Sequence, residues 1–355
     1  MKRRKVLSLM GLAIASGSLA IACSSPTSTN TASSPSASPA ASPASPAADA
    51  DALVVYSGRS ESLIGELLQK FETETGTKIQ VRYGDTAELA AALLEEGDNS
   101  PADVFFAQDA GALGAIQKAG KFTQLPDSVL NKVAATYRSP QGTWVGISGR
   151  VRTVDYNVDL VPEAELPQSV FDLTDPKWKG KVGWAPTNGS FQAFVTAMRI
   201  SEGEDRTREW LEGMKANEAK VYPKNVPIVE ALGRGEISLG LVNHYYLDRA
   251  KKENPSLPVM HHFTNDVGSL VNVAGVGILK TADQGDAAQE LINFLLSEEA
   301  QTYFAQETEE YPLVEGIALG EGTKPLSEIQ TPDVDLSNLD DLEGTLQLLQ
   351  ETGVI

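Results

Sequence analysis

The sequence predicts an α/β protein in which two lobes enclose a cleft. Short apolar runs with strand character alternate with stretches whose apolar residues recur at helical spacing, from Ala52 onward. That alternation pauses near Trp144 and then resumes in the same style, and about 300 residues beyond position 50 are enough for one large or two medium units. Polar and tyrosyl residues also fall just past the expected strand ends, at Tyr56, Gln108, Asn188 and Tyr245. Open α/β sheets bind their ligands there.

The elements follow in order. Ala52 to Tyr56 reads as a short apolar strand, and 57–60 turns the chain. Leu63, Ile64, Leu67, Leu68 and Phe71 then mark a helix that Gly76 ends. Lys78 to Arg82 forms a second strand, and Asp85 with Glu88 a capping box for a helix through Leu94. Asp103 to Phe106 is a third strand, followed by a helix carrying Leu113 and Ile116. Strand-helix alternation of this kind implies a parallel sheet covered on both faces. Beyond Trp144, strands are expected at 145–147, 154–156, 181–184, 237–242 and 271–279. Helices are expected at 191–200, 206–215, 226–232, 287–296, 298–306 and 342–351. The first lobe then spans about 51–142 plus part of 270–330, and the second about 143–269 plus the C-terminal helices.

The N-terminus has a different character. MKRRKVLSLMGLAIASGSLAIAC combines a basic start, an interrupted apolar stretch and a closing cysteine. It reads as an export signal over 1–23. Leu19-Ala20-Ile21-Ala22 before Cys23 resembles a lipobox, in which Cys23 would be acylated and tether the mature chain to a membrane. Cleavage nearby by ordinary signal peptidase is the alternative, and Arg3-Arg4 also suits twin-arginine export. Residues 24–50 are almost all Ser, Pro, Ala and Thr, which cannot bury a core and suit a disordered linker.

Composition narrows the chemistry. Acidic side chains outnumber basic ones, 48 to 29, and four of the basic ones lie at positions 2–5. Such a surface argues against direct binding of nucleic acid. Cys23 is the only cysteine, which excludes disulfides and thiolate metal sites from the folded part. Three histidines are few for zinc or copper, and His261-His262 would face opposite sides of a strand. No GxSxG elbow, P-loop or dinucleotide fingerprint occurs, so no enzyme class is indicated.

Tyr245 and Tyr246 adjoin at the end of ISLGLVNHYYLDRA, where a strand breaks into a helix. Only an irregular junction aims neighbouring side chains at one point. Phenolate oxygen is a hard anionic ligand suited to ferric iron, and a trivalent ion depresses the phenol pKa from about 10. The other reading of the pair is aromatic filling at a cleft edge.

Further stretches carry a family resemblance. They include VVYSGRSESL (54–63), SPADVFFAQDAGALGAIQKAGKF (100–122), WVGISGRVRTVDYN (144–157), PKWKGKVGWAPTNGSFQ (176–192), YPKN (222–225), NHYYLDRA (243–250) and EYPLVEGI (310–317). In this order the chain resembles the periplasmic ferric-iron-binding proteins, the solute receptors of ABC-type iron importers. NHYY is the specific element, whereas the others are shared with receptors for organic or phosphorylated solutes. The resemblance implies a type II periplasmic-binding-protein fold, two lobes joined by a hinge, acting as a monomer that docks on a membrane permease. It implies Fe3+ held by Tyr245 and Tyr246, with carbonate or another synergistic anion. Where some relatives place a histidine this chain has Arg59-Ser60; where some place a carboxylate it has Gln108; where others place a third tyrosine it has Asn188. Tyr56 is then a further candidate ligand. Anion binding is expected from Arg59, Ser60, Gln108 and the turn Asn188, Gly189 and Ser190 before a helix, assisted by Asn225 and Asn243. Arg150 and Arg152 fit either the anion or interlobe ion pairs. Tyr156 suits the core or hinge, and Tyr311 a structural role.

Overall fold

Hydrophobic strands and the helices between them build one mixed sheet whose two ends form separate lobes. The computed structural model describes residues 51–320 and 322–355, so the signal, Cys23 and the linker lie outside the described residues. The first lobe begins with β1 (Leu53–Ser57), α1 (Glu61–Thr75), β2 (Ile79–Tyr83), α2 (Thr86–Glu96), β3 (Val104–Ala107), α3 (Ala110–Lys118) and the single turn α4 (Asp127–Leu130). Ile64, Leu67, Leu68 and Phe71 line the buried face of α1, and Gly76 closes that helix at φ 74°, a left-handed geometry that favours glycine. Asp85 caps α2 by accepting from the Ala87 N–H at 2.9 Å, while Glu88 is exposed, so only half of the expected box forms.

Next comes β4 (Val145–Asn157), 13 residues long and buried throughout. The sequence suggested two strands here, because Ser148 to Thr153 is polar. One strand forms because every one of these residues has a sheet neighbour. Val145 to Val151 pairs with β9 (Val271–Ile278), and Arg152 to Tyr156 pairs with β7 (Leu239–Asn243), both antiparallel. The step from Val151 to Arg152 is therefore where the chain passes from one lobe to the other.

The second lobe adds β5 (Val182–Trp184), α5 (Gly189–Glu202), α6 (Glu204–Ala216), β6 (Lys220–Val221), α7 (Asn225–Gly233), α8 (His244–Glu253) and β8 (Val259–Met260). The chain then returns through β9, α9 (Gly285–Leu295), α10 (Glu298–Gln306) and β10 (Tyr311–Pro312), and ends with α11 (Leu342–Glu351). Strand order is β2-β1-β3-β9-β4-β7-β5-β6, with β8 and β10 also paired to β4. β1 pairs in parallel with β2 and β3, and β5 with β6 and β7, whereas β9 and β4 run antiparallel to their neighbours. His261 and His262 follow β8 outside any strand, yet their rings do point to different partners.

Each lobe buries its own apolar layer. In the second lobe Trp184, Phe191, Phe194 and Trp210 pack edge-to-face or stacked, with ring centroids 5.6–6.4 Å apart. The segment 336–340 crosses over α3 before entering α11. It approaches so closely that a Cβ on Gly111 or Gly114 would collide with the carbonyl oxygens of Leu339 or Ser337. Two glycines three residues apart thus give α3 a bare face for this crossing. Among the described residues, no helix is long and apolar enough to cross a membrane.

Candidate functional site

A cleft of about 760 Å3 lies between α2 and α3 of the first lobe and the start of α5 in the second. Its wall includes Ser60, Gln108, Arg150, Asn188, Gly189, Ser190, Tyr245 and Tyr246. These residues come from four strand-to-helix junctions and from the crossing strand β4, which explains why they converge from distant positions in the chain.

The two tyrosines open α8 directly after β7. At this junction their ring centroids stand 4.4 Å apart with planes tilted by 37°. The Asn243 amide lies 3.5 Å from the Tyr245 hydroxyl. Burial and the neighbouring Tyr246 push the Tyr245 phenol well above its ordinary pKa, while Arg150 and Asn243 act in the opposite direction. The Arg249 guanidinium covers the Tyr245 ring at 5.2 Å.

Arg150 and Arg152 are two apart on β4, so they share one face of the strand. Both are buried, at 3% and 2% exposed. Arg150 Nη1 donates to the Gln108 carbonyl at 2.6 Å. Arg152 Nη2 donates to Ser190 Oγ at 3.1 Å, and its plane packs over Phe191 and Phe194. Arg152 Nη1 is buried without a hydrogen-bond partner among the described residues. Burial lowers the Arg152 pKa to about 10, so it stays protonated at neutral pH, and the adjacent tyrosines favour its charge. A buried, charged donor with no acceptor costs free energy unless an anion or water reaches it.

The N-terminus of α5 completes this wall. Asn188 Oδ1 caps it by accepting from Ser190 N (3.1 Å) and Ser190 Oγ (2.6 Å), and the Asn225 amide lies 3.4 Å away. Asn225 and Asn243 are buried behind the wall rather than on it, each touching a residue that lines the cleft.

Two expectations need correction. Tyr56 points away from the cleft, toward α2: its hydroxyl donates to the Glu96 carboxylate at 3.0 and 3.2 Å, and Arg82 covers its ring at 4.7 Å. Arg59 is not free to grip an anion. It is fully buried and forks onto Glu310 at 2.8 and 2.5 Å. Its charge is already matched, and its Nη1 also donates to Gln108 Oε1 at 2.9 Å.

A second buried cluster lies under the tyrosine helix. His261 is held between Asp155 of β4, at 2.7 Å, and Asp248 of α8, at 3.0 Å. Burial disfavours the imidazolium, but the two carboxylates outweigh it and push the His261 pKa up to about 10. Because the folded value lies above the unfolded one, the stabilisation is complete below about pH 6.5 and is lost as pH rises through about 10. Urea melts at pH 6 and pH 10 should therefore show the parent chain losing stability over that interval, whereas His261→Gln should show a flatter profile. His244 is buried in a different way: burial pulls its pKa down to about 4, and the neutral ring accepts from Val151 N at 3.2 Å, at the lobe crossing. Its ring also packs against Tyr311, 4.6 Å away with the planes tilted by 39°, and the Tyr311 hydroxyl is spent on the Lys324 carbonyl. Tyr156 is buried in β4, beside Leu239 and Met260.

Sequence reasoning missed Glu310 and the Asp155–His261–Asp248 group. Arg59 and Glu310 are 251 positions apart, and no local pattern announces the pair. Among the described residues, no group of three or more His, Cys, Asp or Glu side chains could hold a metal.

Comparison with known proteins places this geometry. Residues 99–333 match the family described as bacterial extracellular solute-binding protein. The chain is 32% identical over 315 residues to the Fe(3+)-binding periplasmic protein of Serratia marcescens, covering 87% of this chain and 93% of that one. It resembles the crystal structure of iron-bound HitA from Pseudomonas aeruginosa with a TM-score of 0.78 at 32% identity, over 85% of this chain and 99% of that one. It also resembles the Trichodesmium protein IdiA (FutA) in complex with iron and citrate ligands, at a TM-score of 0.75 and 31% identity, over 85% and 99% of the two chains. The two-lobed sheet and these likenesses agree, and the chain belongs to the bacterial extracellular solute-binding proteins, alongside their periplasmic ferric-iron-binding members.

Proposed function

We propose that this protein is an extracytoplasmic receptor that captures ferric iron and hands it to an ABC-type importer. The observation that carries the reading is the pair of phenols at Tyr245 and Tyr246, brought to 4.4 Å between ring centroids at the wall of the interlobe cleft. Its relatives are named for ferric iron, and paired phenolates match that ion better than zinc or copper. Iron binding displaces the phenol protons, so the tyrosines act as anions only when the metal is present.

Charge favours a second component. Two phenolates leave Fe3+ with one positive charge, and the Arg150 guanidinium lines the same cleft, with Arg152 buried against Ser190. An oxyanion such as carbonate or a carboxylate offsets that excess. Arg150 and the α5 N-terminus line the cleft as donors to it. Ligands drawn from both lobes favour the closed state, because only closure completes the coordination. The closed form is the one a permease would recognise. Export and acylation at Cys23, followed by the Ser/Pro/Ala tether over 24–50, would keep the receptor beside that permease. Its work is capture and release rather than catalysis.

Titrating the protein with ferric citrate tests this reading. Tyrosinate bound to ferric iron has a charge-transfer absorption in the visible region, so the solution should turn orange to red and saturate at one iron per chain. A protein that stays colourless, or that takes up citrate equally well without iron, would defeat the proposal.

A further inference from the structure

The C-terminal segment ties the two lobes together at a place far in sequence from the hinge strands. Residues 336–340 are gripped by the first lobe. Leu336, Ser337 and Leu339 are buried, and the carbonyl oxygens of Ser337 and Leu339 rest on the bare face of α3 at Gly114 and Gly111. Asp340 then pairs with Lys118 at the end of α3, at 2.6 Å. From the next residue onward the grip belongs to the second lobe. Arg199 of α5 pairs with the Asp341 carboxylate at 3.0 Å, and donates to the Asp341 carbonyl at 3.2 Å and to Thr345 Oγ1 at 3.0 Å. The hydroxyls of Thr196 and Thr345 meet at 2.7 Å, and Leu348 and Leu349 of α11 are buried. Both ion pairs are partly exposed and weak by themselves. Apolar burial and the close glycine contact hold each end.

Consecutive Cα atoms lie about 3.8 Å apart, and that distance does not stretch. One lobe's grip ends at Asp340 and the other's begins at Asp341, so the lobes cannot part at this point unless one grip is lost. They can turn there. The Leu342 N–H donates to the Asp340 carbonyl at 2.9 Å, and Asp341 has φ -80° and ψ 60°, the geometry of an inverse γ-turn. The dihedrals of such a turn are the soft coordinates of the backbone. The other two passages between lobes lie side by side, at Val151 of β4 and Val271 of β9, which are register partners in one ladder. The third is separate from them: Leu339, Asp340 and Leu342 line the cleft itself.

We infer that the two lobes turn about one axis defined by two pivots: the paired strands at Val151 and Val271, and the γ-turn at Asp341. Paired strands alone form a hinge that can twist as well as open. A second pivot, set apart from the first, removes the twist and leaves a single rotation. The cleft then opens only on the side away from residues 339–342, and cargo enters and leaves by that side. This depends on the two-lobed architecture and is independent of what the cleft holds.

Distances between paired spin labels, measured by pulsed electron–electron double resonance on the full chain without cargo, test this. Cys23 is the only native cysteine, so Cys23→Ser gives a clean background. Ala119→Cys with Glu343→Cys spans the γ-turn, and Glu95→Cys with Lys224→Cys spans the lobes between α2 and α7; all four positions are exposed. Two glycines inserted between Asp340 and Asp341 add up to about 7 Å of slack and leave both grips intact. The parent should give a narrow distribution across the turn and a broader one between α2 and α7. The insertion should broaden both about two-fold, with the turn pair reaching up to about 7 Å farther. Gly114→Val drives a side chain into the Ser337 carbonyl, and should broaden the turn pair in the same way by loosening the first grip. A parent whose turn pair is as broad as the other pair would overturn the inference. So would a folded insertion or Gly114→Val variant that keeps the parent's distributions. No metal enters these measurements, so a failure of the iron reading leaves the result intact.

Discussion

Replacing either tyrosine by phenylalanine abolishes the orange-red colour expected of the ferric protein. Removal of groups that merely support a metal ligand costs about 10- to 100-fold in affinity, so loss of a ligand itself should exceed about 100-fold. The fold should tolerate both changes. The rings keep their mutual contact at 4.4 Å and the edge contact of Tyr245 with His244 at 5.6 Å. Tyr245 gives up the 3.5 Å contact from Asn243 and a hydrogen bond with the neighbouring Tyr246, and bonds of that kind contribute about 1 kcal/mol each. Urea melts of the two variants should therefore overlay the parent within about 2 kcal/mol. If Tyr245→Phe and Tyr246→Phe both remain coloured with ferric citrate, the ligands lie elsewhere. Tyr56 is the natural control: its hydroxyl is spent on Glu96, and Tyr56→Phe should leave the colour intact.

Much of this site was legible from sequence because its logic is local. Tyr245 and Tyr246 follow a strand that ends at Asn243, and adjacency together with the junction was sufficient to bring them together. The turn before α5 was legible for the same reason, since Asn188, Gly189 and Ser190 precede an apolar periodic run; that Asn188 caps the helix emerges from the structure. What failed was long-range. Tyr56 and Arg59 both sit near the end of β1, at the expected rim, but rim position does not say which way a side chain turns. The pleat sends Tyr56 toward Glu96 on α2, and Glu310, brought in by the chain's return through β9 and α10, captures Arg59. The single long β4 was hidden because polar residues in a buried strand look like a turn. There, Ser148, Arg150 and Arg152 are polar because they lie at the lobe crossing and beside the cleft.

The Arg59–Glu310 pair carries the largest stability effect. Both side chains are almost completely inaccessible, at 0% and 3% exposed. Burial alone would push the Glu310 carboxyl up, but the charge and two hydrogen bonds of Arg59 hold it below the usual carboxylate range. A carboxyl with its folded pKa depressed contributes stability that is present above its unfolded value and lost as pH falls through the folded one. Acid should therefore weaken the parent more than a Glu310→Gln variant, which has already lost this charge. At neutral pH, Glu310→Leu strands the Arg59 guanidinium among Phe106 and Phe304, whose ring centres lie 6.0 and 5.9 Å away and cannot replace a carboxylate. Breaking one side of a buried pair costs about 3–5 kcal/mol. Replacing both partners by apolar residues of similar volume removes the stranded charge, so Arg59→Met with Glu310→Leu should recover most of that loss. Chemical denaturation of the two single variants and the double variant measures the cycle.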